Sequence, residues 1–263
     1  MTDMDTYQYA QVLRLHLLDM ARVSQRGVDY AIKAYKFGVF EFCKSVRDDT
    51  YEIDVLHREI TEIARDLLMM KLRGEPDLRC VLASEQIANA LRAMHRHAVE
   101  IAANSMRILE NGGGLGCTEL PTMGDLVNSL VRLSVVALFQ EELEHAELVL
   151  RCNGIGRLLE STFYDWYRTI DPSERAQAGF EREITRHLSQ VARQTHEIAG
   201  GVVFSLQDLG DRSGDEADEQ ALTSDETTSE VDLRKAVPIP NGMDSFLQSI
   251  DACFADTRFW SRL

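Results

Sequence analysis

The chain is predicted to be all-α, a duplicated antiparallel bundle of two tandem three-helix units.

 Three observations predict it. Apolar residues recur at helical spacing through most of residues 6–208. No segment alternates apolar and polar residues as a half-buried strand does. Two stretches about a hundred residues apart also end alike: Leu91 to Ala102 and Leu188 to Ala199 each read Leu, Arg five residues on, then Glu-Ile-Ala after a gap of three. A shared ending late in the third helical segment of each half is the mark of one module written twice.

The first helix is predicted over 6–36, where Val12, Leu13, Leu17, Met20, Val23, Val28, Ala31, Ile32 and Tyr35 keep helical spacing. A second helical region runs from 38 to 72, with a break at Arg47-Asp48-Asp49-Thr50; its later part carries Ile53, Leu56, Ile60, Ile63, Leu67 and Met70 on one face. Gly74-Glu75-Pro76-Asp77 interrupts the chain and opens a third helix, proline being tolerated in a first turn. That helix spans 77–110 and stops at Asn111-Gly112-Gly113-Gly114-Leu115-Gly116. The second half repeats the layout: a helix over 122–138, a region over 141–169 broken near Asn153-Gly154, and a last helix running to 208 from the capping box Asp171-Pro172-Ser173-Glu174. The domain reading is therefore 1–111 for the first unit, 119–208 for the second and 209–263 for a tail.

The tail differs in character. Residues 208–232 hold ten acidic side chains against Arg212 alone, a net of −9, and 209–232 are read as a disordered linker with too little apolar area to offset ordering entropy. Val237-Pro238-Ile239-Pro240 is extended, and Met243, Phe246, Leu247, Ile250 and Phe254 form one helical stripe that docks on its own bundle or on a partner.

Hydrophobic residues make up 44% of the chain, enough to bury a core, and the formal charge of −15 argues against a nucleic-acid binder, which needs clustered positive charge. Five scattered cysteines without a CxxC fit a reducing compartment. The start, Met1-Thr2-Asp3-Met4-Asp5, lacks the basic and apolar blocks of a signal peptide, and the apolar run Leu133 to Phe139 is too short to span a bilayer. A soluble, cytoplasmic protein is expected.

Several constellations invite chemistry. Asp54 with His57, and Glu142 with His145, place a carboxylate and an imidazole three residues apart, a spacing used by di-metal bundles and equally by solvated helix faces. Gly112 to Gly116 is glycine-rich but lacks the Gly-Lys-Ser/Thr ending and the preceding strand of a phosphate loop, so it reads as a linker. His95 and His97 lie on different faces of one helix. Arg96 and Arg193 each stand four residues before a glutamate, Glu100 and Glu197, and are expected either to pair with it or to offer a guanidinium to an anion such as phosphate. Local context assembles no Ser/His/Asp or Cys/His set.

The sequence resembles the phosphate-uptake regulators of the PhoU family. Met20-Ala21-Arg22-Val23 through Ala31-Ile32 resembles that family's first helix, and Val46 through Ile60 its second. Pro76-Asp77-Leu78-Arg79 is similar to the Pro-x-x-Asp-Leu-Arg opening of the third, shortened by two residues; Leu91 to Ala102 and His196 to Phe204 resemble the endings of the two halves. The resemblance covers roughly 6–208. It implies a metal-binding Glu-x-x-x-Asp on each third helix, but Arg92 and Arg96 stand there in the first half and Ser189 and Arg193 in the second, while His57, with Thr61 a turn later, replaces a second-helix acid. A guanidinium repels a cation, so no metal and no other cofactor is expected. The resemblance implies a non-enzymatic regulator that contacts the ATPase of a phosphate ABC transporter and a sensor histidine kinase, reaches the membrane only through such partners, and forms a homodimer if any oligomer. A metal-binding helical bundle and a helical adaptor in an unrelated pathway are the alternatives.

Overall fold

The computed structural model describes residues 3–69, 75–172 and 175–206. Among them are eight helices and no strand. In the first half α1 is Asp3–Phe37, α2 Phe40–Asp48, α3 Thr50–Met69 and α4 Glu75–Glu110; in the second, α5 is Leu120–Gln140, α6 Leu143–Arg151, α7 Ile155–Tyr167 and α8 Arg175–Leu206. The breaks expected at 47–50 and 153–154 separate α2 from α3 and α6 from α7, so each half reads long, short, medium, long. Residues 70–72 of the second predicted region, Ser173 and Glu174 of the capping box, and the whole tail from 207 lie outside the described residues.

Within the first half α3 packs on both α1 and α4, and within the second α6 and α7 pack on α8. The halves join where α1 meets α5 and, most extensively, where α4 meets α8. The last two run antiparallel: Gly201 lies against Ile87, and His97 lies against His187. A Cβ added at Gly201 would stand 2.6 Å from Ile87 Cγ1, so the absent side chain is what lets the two helices approach there. Arg79 places its guanidinium 5.6 Å from the Phe204 ring centre, tying the start of α4 to the end of α8.

One apolar core runs through both halves. Met20, Ile53, Ile60, Leu91 and Met94 are sealed in it with Leu126, Leu130, Leu159, Phe163, Leu188 and Val191. Each such side chain contributes about 1.5–3 kcal/mol of burial relative to exposure, which is why helices of modest intrinsic propensity hold their places. The run Leu133 to Phe139 lies within a longer apolar helix, α5. By length and composition Leu120–Gln140 is apolar enough to cross a bilayer, with mean hydropathy 1.4. Asp125 and Arg132 interrupt its apolar residues without ending the helix. Its apolar positions instead face α1, α6 and α8.

A buried carboxylate fastens the linker between the halves. Glu181 of α8 is fully buried, and its Oε1 accepts from Tyr35 Oη at 2.7 Å, Gly116 N at 3.0 Å, Cys117 N at 3.1 Å and Gln177 Nε2 at 3.2 Å. Burial and the neighbouring carboxylate together raise the Tyr35 phenol well above its ordinary pKa, so it donates as a neutral hydroxyl.

Candidate functional site

The singled-out polar positions of the first half lie where α3 meets α4. On α4, Asn89, Arg92 and Arg96 are three and four residues apart and share a stripe. Arg92 sends Nε and Nη2 to Asp54 Oδ1 on α3, both at 2.9 Å. His57 Nε2 lies 2.8 Å from Asn89 Oδ1, a contact in which the imidazole donates, and the Thr61 hydroxyl donates to the His57 carbonyl at 2.9 Å. Asp54 and His57 thus spend their polar atoms on α4 neighbours rather than converging as ligands. Glu142 and His145 pair with each other at the start of α6. In the second half Ser189 is buried against Gly156 of α7, where an added Cβ would stand 2.7 Å from Ser189 Oγ.

This donor set does not fit the metal cluster that the resemblance implies. Arg92 brings a fixed positive charge to the Asp54 carboxylate, Ser189 sits in a space closed by the α7 backbone, and no group of three or more His, Cys, Asp or Glu side chains converges among the described residues.

The α4–α8 seam holds the remaining candidates. The two repeated endings match in burial: Leu91 with Leu188, Met94 with Val191 and Ile101 with Ile198 are buried, while Arg96 with Arg193 and Glu100 with Glu197 are exposed. The expected pairing of each arginine with the glutamate four residues on is not made; no acid lies within 4 Å of Arg96 or Arg193 among the described residues. An exposed pair of this kind is worth only about 0.2–0.5 kcal/mol, too little to hold two hydrated chains together. Between them, His97 Nδ1 meets His187 Nδ1 at 3.1 Å, and Arg186 Nη2 stands 3.4 Å from His187 Nε2 while pairing with Glu183 at 2.9 Å. Burial, then His187, Arg96, Arg193 and Arg186, push the His97 pKa down to about 4. His187 is lowered by burial and Arg186, against the pull of Glu100 and Glu183. Both imidazoles are therefore neutral at pH 7, one donating to the other. At the other end of the seam a groove of about 530 Å³ is lined by residues that include Gln86, Asn89, Ala90, Arg193, Gln194 and Glu197.

His95 and His97 do face different ways. His95 is fully buried, with Nε2 3.4 Å from Thr50 Oγ1 and its ring beside Gly27. The glycine run is a linker whose amides are used inside the fold: Gly113 N donates to the Ile108 carbonyl and Gly116 N to Glu181. The His97–His187 contact and the Glu181 latch escaped sequence reasoning; only Glu181 left a signal, its spacing of three and seven from the apolar Ile184 and Leu188.

Residues 17–105 match the PhoU domain, which takes in α3 and most of α4 with the altered positions of the first half. The first half of the chain is thus similar to the PhoU domain. It is 24% identical over 208 residues to the phosphate-specific transport system accessory protein PhoU homolog of Pseudomonas putida, covering 78% of this chain and 73% of that one. The fold is that of PhoU from Pseudomonas aeruginosa, with a TM-score of 0.70 at 19% identity over 76% of this chain and 97% of the other. It is also that of the phosphate transport system regulatory protein PhoU from Streptococcus pneumoniae, with a TM-score of 0.65 at 19% identity over 78% and 100%. The match to the PhoU domain is confined to the first half, and the likeness of fold carries through the second.

Proposed function

We propose that this protein regulates phosphate transport in the cytoplasm, by binding protein partners and without catalysis. The observation that carries the reading is the likeness to the Pseudomonas putida accessory protein across 208 residues, on a fold that covers nearly the whole of two PhoU structures. The partners proposed are the ATPase of a phosphate ABC transporter and a sensor histidine kinase. Regulation by binding requires the helical faces to prefer one state of the partner over another, since a surface with equal affinity for both shifts nothing. Burial raises the Cys117 and Cys152 pKa values to about 11, which keeps these two as neutral thiols at pH 7.

The test is a deletion strain grown in phosphate-rich medium, with transport and starvation-response transcripts measured, alongside a binding assay with the purified ATPase and the kinase. Raised transport or transcripts together with binding to either partner is expected. Unchanged phosphate responses and binding to neither partner would refute the proposal.

A further inference from the structure

We infer that the seam between α4 and α8 binds a small oxyanion of the phosphate class between Arg96 and Arg193, with the Gln194 amide donating from the groove floor. The inference concerns what this face binds and stands whether or not the regulatory reading holds.

Four observations carry it. First, the antiparallel register set by His97 on His187 and Ile87 on Gly201 brings Arg193 to within about one turn, roughly 5 Å along the axis, of Arg96 on the facing helix. Second, both arginines are exposed and neither is held by an acid within 4 Å among the described residues, so their five donors each are available to a ligand. Third, Gln194 is only 7% exposed, lines the groove beside Arg193 and makes no hydrogen bond to a described residue. Its amide atoms keep access to solvent at the groove, so they can donate there. Fourth, with His57 donating to Asn89 Oδ1, the Asn89 NH₂ remains to donate into the same groove.

The charge order along the seam sets the size of the ligand. Glu197, Arg193, Arg96 and Glu100 follow one another, so a positive centre is closed by a carboxylate at each end. Glu85 also lines the groove, and Glu183 is occupied by Arg186. An extended acidic segment would run onto Glu100 or Glu197. A tetrahedral anion spanning about one turn stays within the positive stretch and meets guanidinium forks, which match its oxygens two at a time. The neutral His97–His187 pair and Arg186 border the Arg96 side. A carboxylate has two oxygens and can fill one fork, whereas a phosphate group, free or carried as a monoester, has oxygens enough for two forks and an amide.

The experiment is calorimetric titration of the full chain at pH 7 and low ionic strength with inorganic phosphate and, separately, with glycerol 3-phosphate. The imidazole resonances of His97 and His187 are followed in parallel by NMR. One ligand per chain is expected, with both imidazoles shifting. Arg96→Gln and Arg193→Gln should each weaken binding about tenfold, the factor that follows from losing one charge-assisted contact. Gln194→Leu should weaken it less, and Arg168→Gln, at an 80% exposed position on another helix end, should leave it unchanged. Because the arginines are exposed, their loss does not threaten folding, which circular dichroism checks. Binding of inorganic phosphate alone identifies the free ion as ligand, and binding of the ester alone identifies a phosphorylated molecule. Binding of neither, or binding that survives the Arg96→Gln/Arg193→Gln double change, overturns the inference.

Discussion

Removing the Glu181 carboxylate should unfasten the linker from the bundle. In Glu181→Ala the Tyr35 hydroxyl and the Gly116 and Cys117 amides lose their shared acceptor at once. An orphaned buried donor costs about 1–3 kcal/mol, and since Gly116 is only partly buried and can turn to water, about 3–5 kcal/mol in all is expected. That is a large part of the stability of an ordinary domain. Glu181→Gln keeps an oxygen where Oε1 lies and should cost only about 1–2 kcal/mol, the difference between a charged and a neutral acceptor. Adding Tyr35→Phe to Glu181→Ala removes one orphan and should restore about 1 kcal/mol, whereas the same change in the wild type destabilises. Urea denaturation followed by circular dichroism measures all four proteins, with the slope checked for constancy. If Glu181→Ala costs under about 1 kcal/mol, or Gln is as damaging as Ala, the carboxylate is not the fastening.

Three further outcomes follow from the packing. His95, His97 and His187 all have pKa values depressed chiefly by burial, so the folded chain binds fewer protons than the unfolded one below the ordinary imidazole value; stability should be full above 6.5 and fall as pH drops, for His97 over the window down to about 4. A urea midpoint that holds level or rises between pH 6.5 and 5 contradicts this. Gly201→Ala should cost about 1–3 kcal/mol by overpacking against Ile87, and Ile87→Val should relieve part of it; a neutral Gly201→Ala would show that the helices can part freely. The wild-type chain dialysed without added metal should hold far less than one equivalent of iron, zinc or manganese, while Arg92→Glu with Arg96→Asp, beside Asp54 and His57, should retain a divalent cation by elemental analysis. Stoichiometric metal in the wild type would refute the electrostatic argument.

The helical layout was legible because the punctuation is local. Glycine and short polar runs mark the corners at 47–50 and 153–154, and apolar spacing marks the faces between them. The equivalence of Arg96 and Arg193 was legible from the repeated ending. What those arginines do was not: an i,i+4 glutamate suggested pairs, and solvent prevailed over so weak an attraction. The His97–His187 contact joins residues ninety apart, and nothing local in either helix names its partner. Glu181 was hidden by its type, since a glutamate is ordinarily read as solvated; only its register with Ile184 and Leu188 shows that it faces inward.

The apolar character of α5 has a consequence for synthesis. Leu120–Gln140 emerges from the ribosome with α1 already made but with α8, which covers much of its other side, still to come. At about 5–20 residues per second, the sixty-odd residues from Gln140 to Leu206 take roughly 3–13 seconds. For that interval a helix long and apolar enough by composition to cross a bilayer lacks the cover of α8. In chain order the α1 contact is therefore the first cover α5 meets, and α8 the last.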